Sequence, residues 1–278
     1  MKWHKLMFVL PNAFTVSSIF CGFYAITLCS DSPTPQQLYN AALAIFFAIF
    51  FDGFDGRVAR LTRTQSDFGV ELDSLADVIS FGVAPAILVY KWALWPLGVW
   101  GMLVSFAFAT CGALRLARFN VMAQRKAPGS SKFFTGLPIP LAAGMVISLV
   151  IAYHHAGMAT VQAHVPIAVL VGALALLMVS TIRYRTFKDV RLSKKSAMVF
   201  LVVVLVGIAV ATQMRPSFVL VAYFSAYLVL GLAEEVLFFK KRRQEATAAK
   251  SEPPQTPDKP SPPPPDDDDD EEDGEEFV

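Results

Sequence analysis

Most of this chain is divided into apolar stretches of about 20 residues, the length that an α-helix needs to cross the hydrocarbon core of a bilayer. Hydrophobic residues make up 54% of the sequence and charged residues 17%, against about 25% charged residues in soluble domains. These features predict an all-α, polytopic membrane helix bundle of about eight transmembrane helices. The predicted spans cover residues 9–29, 38–61, 77–95, 99–119, 138–156, 163–182, 196–213 and 216–239.

The distribution of Lys and Arg predicts how these spans are oriented. If the N-terminus is inside, 22 of the basic residues fall in inside segments, and only Lys91 and Arg215 fall in outside loops. Cytoplasmic loops of membrane proteins carry an excess of Lys and Arg. We therefore expect an integral protein of the cytoplasmic (inner) membrane, with both termini in the cytoplasm and the first apolar run retained as a span.

A change of composition near residue 240 predicts two domains. Residues 1–240 form the predicted transmembrane catalytic domain, and residues 241–278 begin basic and then become Pro-rich and acidic. Residues 251–278 hold twelve acidic residues and one basic residue, Lys259. Because such a segment cannot bury apolar surface, it is predicted to be a disordered cytoplasmic tail.

Polar residues at regular spacing mark the end of the second predicted span and the start of the next helix. On a helix, each of the two sets below lies on one face, because residues three, four, seven and eight positions apart share a side. The first face carries Asp52, Asp55, Gly56, Ala59 and Arg60, and the second carries Gly69, Asp73 and Asp77. Antiparallel contact between the two helices would bring four carboxylates together at the cytoplasmic end of the bundle.

Four carboxylates at a membrane boundary repel one another and require cations, and acidic residues in spans are functional by default. Ligation by oxygen alone suits Mg²⁺ or Mn²⁺, and paired metals suit displacement at phosphorus. Gly56, Ala59 and Gly69 leave room for a ligand against the helix backbone, and Arg60 can pair with phosphate oxygens. The alternative is a structural cluster in which Arg57 and Arg60 neutralise Asp52 and Asp55.

The full pattern, D-x-x-D-G-x-x-A-R, eight residues, then G-x-x-x-D-x-x-x-D, resembles the signature of the CDP-alcohol phosphotransferase family, and every fixed position is filled. The resemblance implies that the four aspartates hold two divalent metal ions, Mg²⁺ or Mn²⁺, and that Asp77 also acts as the base. It implies that the diphosphate of the donor lies on the metals and Arg60, and that CMP leaves. The residues expected to bind CDP-diacylglycerol are Asn12, Thr15, Gly56, Ala59, Arg60 and Gly69.

Two further regions resemble one branch of that family, the bacterial and archaeal CDP-diacylglycerol–serine O-phosphatidyltransferases. They are L-P-N-A-F-T at residues 10–15, with F-C-G-F at 20–23, and R-L-A-R-F-N at 115–120, with F-F-T-G-L-P-I-P at 133–140. In the first region, Asn12 and Thr15 are expected to contact the nucleotide. The alternative is a helix start, where Asn is a common cap.

In the second region, Arg115, Arg118 and Asn120 are the predicted serine-binding residues, because the serine carboxylate needs a cation and its ammonium an acceptor. The alternative is that the two arginines anchor the helix to lipid headgroups.

The reaction implied by this resemblance is transfer of the phosphatidyl group from CDP-diacylglycerol to the hydroxyl of serine, giving phosphatidylserine and CMP. Glycerol 3-phosphate or inositol (or its phosphate) stays open as the acceptor. A hypothesis from another class is an ion-coupled transporter with the membrane carboxylates as ion sites, although transporters place such sites at the midplane and show internal repeats. The expected partners are the two substrates and membrane lipids, with a homodimer left open and no nucleic acid.

Overall fold

The computed structural model of the chain describes residues 2–62, 64, 66–125, 133–158, 161–180, 183–185, 221–222 and 224–225. The chain divides into two compact units, Met1–Leu237 and Phe238–Val278, and all described residues belong to the first. The predicted span 196–213 and the predicted tail from residue 241 lie outside the described residues. Of the predicted span 216–239, only four positions are described, and these are helical.

Helices account for nearly all of the described residues, which confirms the all-α class, and six predicted spans coincide with them. The exception is a pair of three-residue antiparallel strands, β1 (Phe133–Thr135) and β2 (Arg183–Arg185), in which Phe134 lies opposite Tyr184. The apolar pattern did not predict this pair. The helices are α1 Lys2–Leu28, α2 Pro35–Thr62, α3 Asp67–Asp77, α4 Ala84–Val89, α5 Val99–Arg125, α6 Ile139–His155 and α7 His164–Val179.

Helices α3 and α4 belong to one continuous helical rod, Asp67–Leu97. Two π-helical segments, Val78–Val83 and Tyr90–Leu94, and a 3₁₀ turn, Trp95–Leu97, complete it. The rod begins ten residues before the predicted start at residue 77, because Ser66 caps it: the Ser66 hydroxyl accepts the Gly69 N–H at 3.1 Å. The two rod aspartates therefore lie inside a helix that continues into the apolar span.

Two helices in the described part of the chain are long and apolar enough to cross a bilayer, Asp67–Leu97 and Val99–Met122. Three shorter apolar helices accompany them: Asn12–Leu28, Ile139–His155 and His164–Val179. Large aromatic side chains are exposed on α1 and α2, including Phe20, Phe23, Phe47 and Phe50. This apolar surface is what a membrane protein presents to lipid, whereas the count of eight spans stays a prediction.

Close packing of α2 against its neighbours forms the centre of the bundle. Three alanines of α2, Ala41, Ala42 and Ala48, are fully buried, as is Phe81 of the rod. Small residues allow helix backbones to approach closely, which is the main source of packing attraction between helices in a membrane. Helix α1 runs along α2 and also contacts the rod, while α5 packs against the rod and α7. Helix α1 thereby holds α2 and the rod next to each other.

Candidate active site

The four aspartates of the two predicted faces lie together between α2 and the first part of the rod. Single carboxylate oxygens of Asp52, Asp55 and Asp73 all lie within 4.8 Å of one another. Asp77 interacts electrostatically with Asp52 and Asp73, and Asp73 interacts in the same way with Asp55. The predicted convergence of the two helix faces is therefore confirmed.

Two oxygens of this cluster have no hydrogen-bond donor among the residues that the structure describes. Asp73 Oδ1 and Asp77 Oδ1 are buried without a hydrogen-bond partner. Buried carboxylate oxygens that are neither hydrogen-bonded nor paired with a cation are costly. A group of hard oxygen donors turned toward one another is the environment that a divalent ion such as Mg²⁺ takes in proteins. The residues present therefore fit a metal site.

Asp55 is the most buried member of the cluster, at 7% exposure. Its Oδ2 accepts a hydrogen bond from Thr15 Oγ1 at 2.9 Å, and its Oδ1 accepts the N–H of Gly56. Arg57 and Arg60 are both exposed. The carboxylate of Asp55 is thus held by Thr15 and the backbone, so hydrogen-bonded pairing with an arginine is not what keeps it in place.

Helix α1 brings the two predicted nucleotide-binding residues to this cluster. Helix α1 begins at Lys2, ten residues before Asn12, so the alternative that Asn12 caps a helix start is wrong. Thr15 contacts Asp55, and Asn12 Oδ1 lies 3.6 Å from the place that a Cβ at Gly69 would occupy. Both side chains therefore face the site from the side of α1.

The small residues of the motif lie where bulk would obstruct the site. A Cβ at Gly56 would lie 3.5 Å from Arg60 Nη1, so the guanidinium of Arg60 reaches over Gly56. A Cβ at Gly69 would lie 3.2 Å from the hydroxyl of the capping residue, Ser66. Ala59, between these two glycines in the sequence, is half-buried. The guanidinium of Arg60 and the hydroxyl of Ser66 therefore lie close to the backbone at these two glycines.

Of the three predicted serine-binding residues on α5, Arg115 lies with the aspartates. Its side chain is 7% exposed, it interacts electrostatically with Asp77, and its Nε is buried without a hydrogen-bond partner. A buried guanidinium with an unused donor is costly. Arg115 therefore has both the position and the free hydrogen-bonding capacity to bind an anionic group.

The other two residues connect α5 to neighbouring helices. Arg118 donates from Nη1 to the Val179 carbonyl at 2.9 Å and from Nη2 to the Ser180 carbonyl at 3.0 Å, at the C-terminal end of α7. Asn120 Nδ2 donates to the hydroxyl of Ser74 at 2.9 Å. Arginine near a helix C-terminus commonly binds the last carbonyls. These bonds place the α5 end, and with it Arg115, against α7 and the rod.

The sequence reasoning missed two serines that shape the site, Ser66 and Ser74. Ser66 could have been identified from the sequence, because serine directly before a helix is a preferred N-cap. Ser74 could not, because its partner, Asn120, is 46 residues away in the sequence.

Comparison with known proteins places this chain among lipid-modifying transferases. A family model described as CDP-alcohol phosphatidyltransferase matches residues 8–179. A Helicobacter pylori protein named CDP-diacylglycerol–serine O-phosphatidyltransferase is 40% identical over 229 residues, which cover 81% of this chain and 90% of that protein. A Bacillus subtilis protein of the same name is 38% identical over 64% of this chain and 91% of its own length. The archaetidylserine synthase of Methanothermobacter thermautotrophicus is 37% identical over 63% of this chain and 69% of its own length.

Proposed function

The chain belongs to the CDP-alcohol phosphatidyltransferase family, and we propose that it transfers the phosphatidyl group of CDP-diacylglycerol to the hydroxyl of serine, giving phosphatidylserine and CMP. The observation that carries this proposal is the cluster of Asp52, Asp55 and Asp73, with Asp77 beside it, in which two buried oxygens have no hydrogen-bond donor among the described residues. Serine as the acceptor is supported by the names of the two bacterial relatives, and the matched part covers most of the length of each of them.

The proposed cofactor is a pair of divalent ions, Mg²⁺ or Mn²⁺, for which Asp52, Asp55, Asp73 and Asp77 would be the ligands. When bound, such ions supply charge neutralisation for the carboxylates and for the diphosphate of the donor. Arg60 adds a planar guanidinium that can pair with phosphate oxygens. The small residues Gly56, Ala59 and Gly69 leave room for the donor in this proposal, and Asn12 and Thr15 border the place proposed for its nucleotide.

In the proposed step, the serine hydroxyl oxygen attacks the phosphorus atom that carries the diacylglycerol. A bond forms between that oxygen and phosphorus, the bond from phosphorus to the CMP oxygen breaks, and CMP leaves with the electron pair. Asp77 accepts the hydroxyl proton, acting as a general base. Its position beside Asp52, in electrostatic contact with Arg115, and its buried Oδ1, which has no hydrogen-bond donor among the described residues, are what support this role.

Recognition of serine requires a cation for its carboxylate, since the aspartates would otherwise repel it. We assign the carboxylate to Arg115, whose Nε has no hydrogen-bond partner in the described part of the chain. Arg118 and Asn120 lie on the same helix as Arg115, and the proposed role of their bonds to α7 and the rod is to hold Arg115 in place. Glycerol 3-phosphate and inositol are the competing acceptors within the same chemistry. Family membership favours a transferase over a transporter.

Orientation in the membrane is also a proposal. The split of 22 basic residues to two supports a site on the cytoplasmic face of the inner membrane, with both termini inside. The catalytic domain is proposed to span residues 1–240, followed by an acidic tail. A homodimer remains open as the assembly.

The test uses the purified full-length chain with CDP-diacylglycerol labelled in the cytidine. CMP release and the lipid product are measured with serine, glycerol 3-phosphate or inositol as acceptor. We expect serine-dependent CMP release that EDTA abolishes and Mg²⁺ or Mn²⁺ restores. Asp77→Asn should lose at least about a hundredfold in kcat, the scale of a lost base or metal contact.

Asp67→Asn is the matched control, because Asp67 lies on the same helix but is exposed and outside the cluster. Its activity should equal that of the wild type. Full activity in excess EDTA would contradict the metal assignment. Production of phosphatidylglycerol phosphate without phosphatidylserine would contradict the acceptor while leaving the chemistry intact.

A further inference from the structure

One face of α1 contacts both helices that carry the aspartates. Thr15, Ser18 and Gly22 are spaced i, i+3 and i+7, which places them on the same side of the helix. Thr15 bonds to Asp55 of α2. One turn further along, the Ser18 carbonyl accepts a hydrogen bond from the Ser80 hydroxyl of the rod at 2.9 Å.

Gly22 allows this second contact to be very close. A Cβ at Gly22 would lie 2.7 Å from Ser80 Oγ and 2.8 Å from Ser80 Cα. Any larger residue would push the rod away from α1, since real side chains do not approach to such distances. Ser80 itself is 0% exposed, so its hydroxyl is committed to the contact with α1.

Ser80 lies in the π-helical segment that begins directly after Asp77, Val78–Val83. The Ala84 N–H bonds to the Ile79 carbonyl, five residues back. In a regular α-helix, residue 81 would be the next position on the face that carries Asp77. The π turn contains one more residue than an α turn, so it rotates the following residues relative to that face. Phe81, within this turn, is fully buried in the apolar core. π-Helical turns are rare and often accompany functional sites.

We propose that Ser80 is a positioning residue for Asp77. Its bond to α1 fixes the rotation of the rod about its own axis, and therefore the place of the Asp77 carboxylate less than one turn away. A carboxylate about 5 Å from a helix axis moves about 1 Å when the helix rotates by about 10°. A misplacement of that size can cost about a hundredfold in rate.

This inference rests on the proposed function in that Asp77 is taken as a metal ligand and base. A purely structural contact at Ser80 would change stability and leave metal affinity alone. Ser148 provides the matched control: it is also 0% exposed, and its hydroxyl donates to the Met145 carbonyl of its own helix, α6, at 2.8 Å. Ser148→Ala removes a buried hydroxyl but leaves the hydrogen bond between Ser80 of the rod and Ser18 of α1 intact.

The experiment titrates the purified full-length chain with Mn²⁺ and follows the free ion by electron paramagnetic resonance. Ser80→Ala should weaken Mn²⁺ binding about fivefold, which corresponds to about 1 kcal/mol, the scale of one lost hydrogen bond. Ser148→Ala should bind Mn²⁺ like the wild type. Its thermal midpoint should be no higher than that of Ser80→Ala, so that a loss of stability by itself does not account for weaker Mn²⁺ binding in Ser80→Ala. In an Asp77→Asn background, Ser80→Ala should have no further effect on Mn²⁺ affinity, because the two residues act as one unit.

Gly22→Ala is a second variant, which displaces Ser80 from the side of α1 and should weaken Mn²⁺ binding at least as much. Wild-type Mn²⁺ affinity in Ser80→Ala or Gly22→Ala would overturn the inference. So would an undiminished fivefold loss in the Asp77→Asn background, or the absence of Mn²⁺ binding by the wild type. The proposed reaction is judged separately, by serine-dependent CMP release, so a failure of one assignment is distinguishable from a failure of the other.

Discussion

Lysine substitutions at the two arginines of α5 separate substrate recognition from helix positioning. Arg118 donates two hydrogen bonds, at 2.9 and 3.0 Å, to two carbonyls at the end of α7. Lysine keeps the charge but loses the planar fork that reaches both carbonyls at once. One hydrogen bond to a charged group contributes about 1.5–3 kcal/mol. We therefore expect Arg118→Lys to lower the free energy of unfolding by about that amount.

Arg115→Lys should behave differently, because the Nε of Arg115, which lies beside Asp77, has no hydrogen-bond partner among the described residues. Losing a charge-assisted bond to the serine carboxylate would raise the KM for serine roughly ten- to hundredfold, since 1.4 kcal/mol corresponds to tenfold. The KM for CDP-diacylglycerol should stay the same, because the donor is proposed to bind at Arg60 and the small residues of the motif, and not at Arg115.

The assay is steady-state CMP release with each substrate varied in turn, together with a thermal unfolding curve for each purified variant. The expected pattern is a raised serine KM without destabilisation for Arg115→Lys, and destabilisation with a smaller change in serine KM for Arg118→Lys. A raised serine KM in Arg118→Lys at wild-type stability would refute the reasoning. It would mean that serine, and not the end of α7, is the main partner of that guanidinium during turnover.

Three further predictions concern other parts of the chain. Deleting residues 251–278 should change kcat by no more than about twofold at low and high salt, and loss of most turnover under both conditions would contradict the domain boundary. Gly136→Ala should destabilise the protein more than Gly157→Ala in thermal unfolding: both glycines have positive φ, 83° and 73°, but only at Gly136 would the Cβ strike a carbonyl, that of Met178. Gly69→Ala should raise the KM for CDP-diacylglycerol and leave the KM for serine unchanged. If both KM values equal those of the wild type, Gly69 is not part of the donor site.

The sequence by itself determined the helical class and the identity of the aspartate cluster. Both depend on short-range regularities: apolar runs of spanning length, and carboxylates spaced so that Asp52 with Asp55, and Asp73 with Asp77, share helix faces. Because a loop of only a few residues joins the two helices, contact between these faces follows almost directly from chain connectivity. The family signature covers the same positions, so the metal-binding hypothesis needed no tertiary information.

Tertiary structure decided what the remaining polar residues contact. Arg115, Arg118 and Asn120 lie within six residues of sequence, and nothing in that stretch tells their roles apart. The partners of Arg118 are 61 and 62 residues away and that of Asn120 is 46 residues away, so only helix packing brings them together. The same holds for Ser80 against Ser18, 62 residues apart. A hydrogen bond between distant segments depends on the relative rotation of two helices, which the local periodicity of either helix leaves open. For this reason the sequence identified the carboxylates, and the packing of α1, α5 and α7 around them determined which neighbours can act on a substrate and which hold the helices in place.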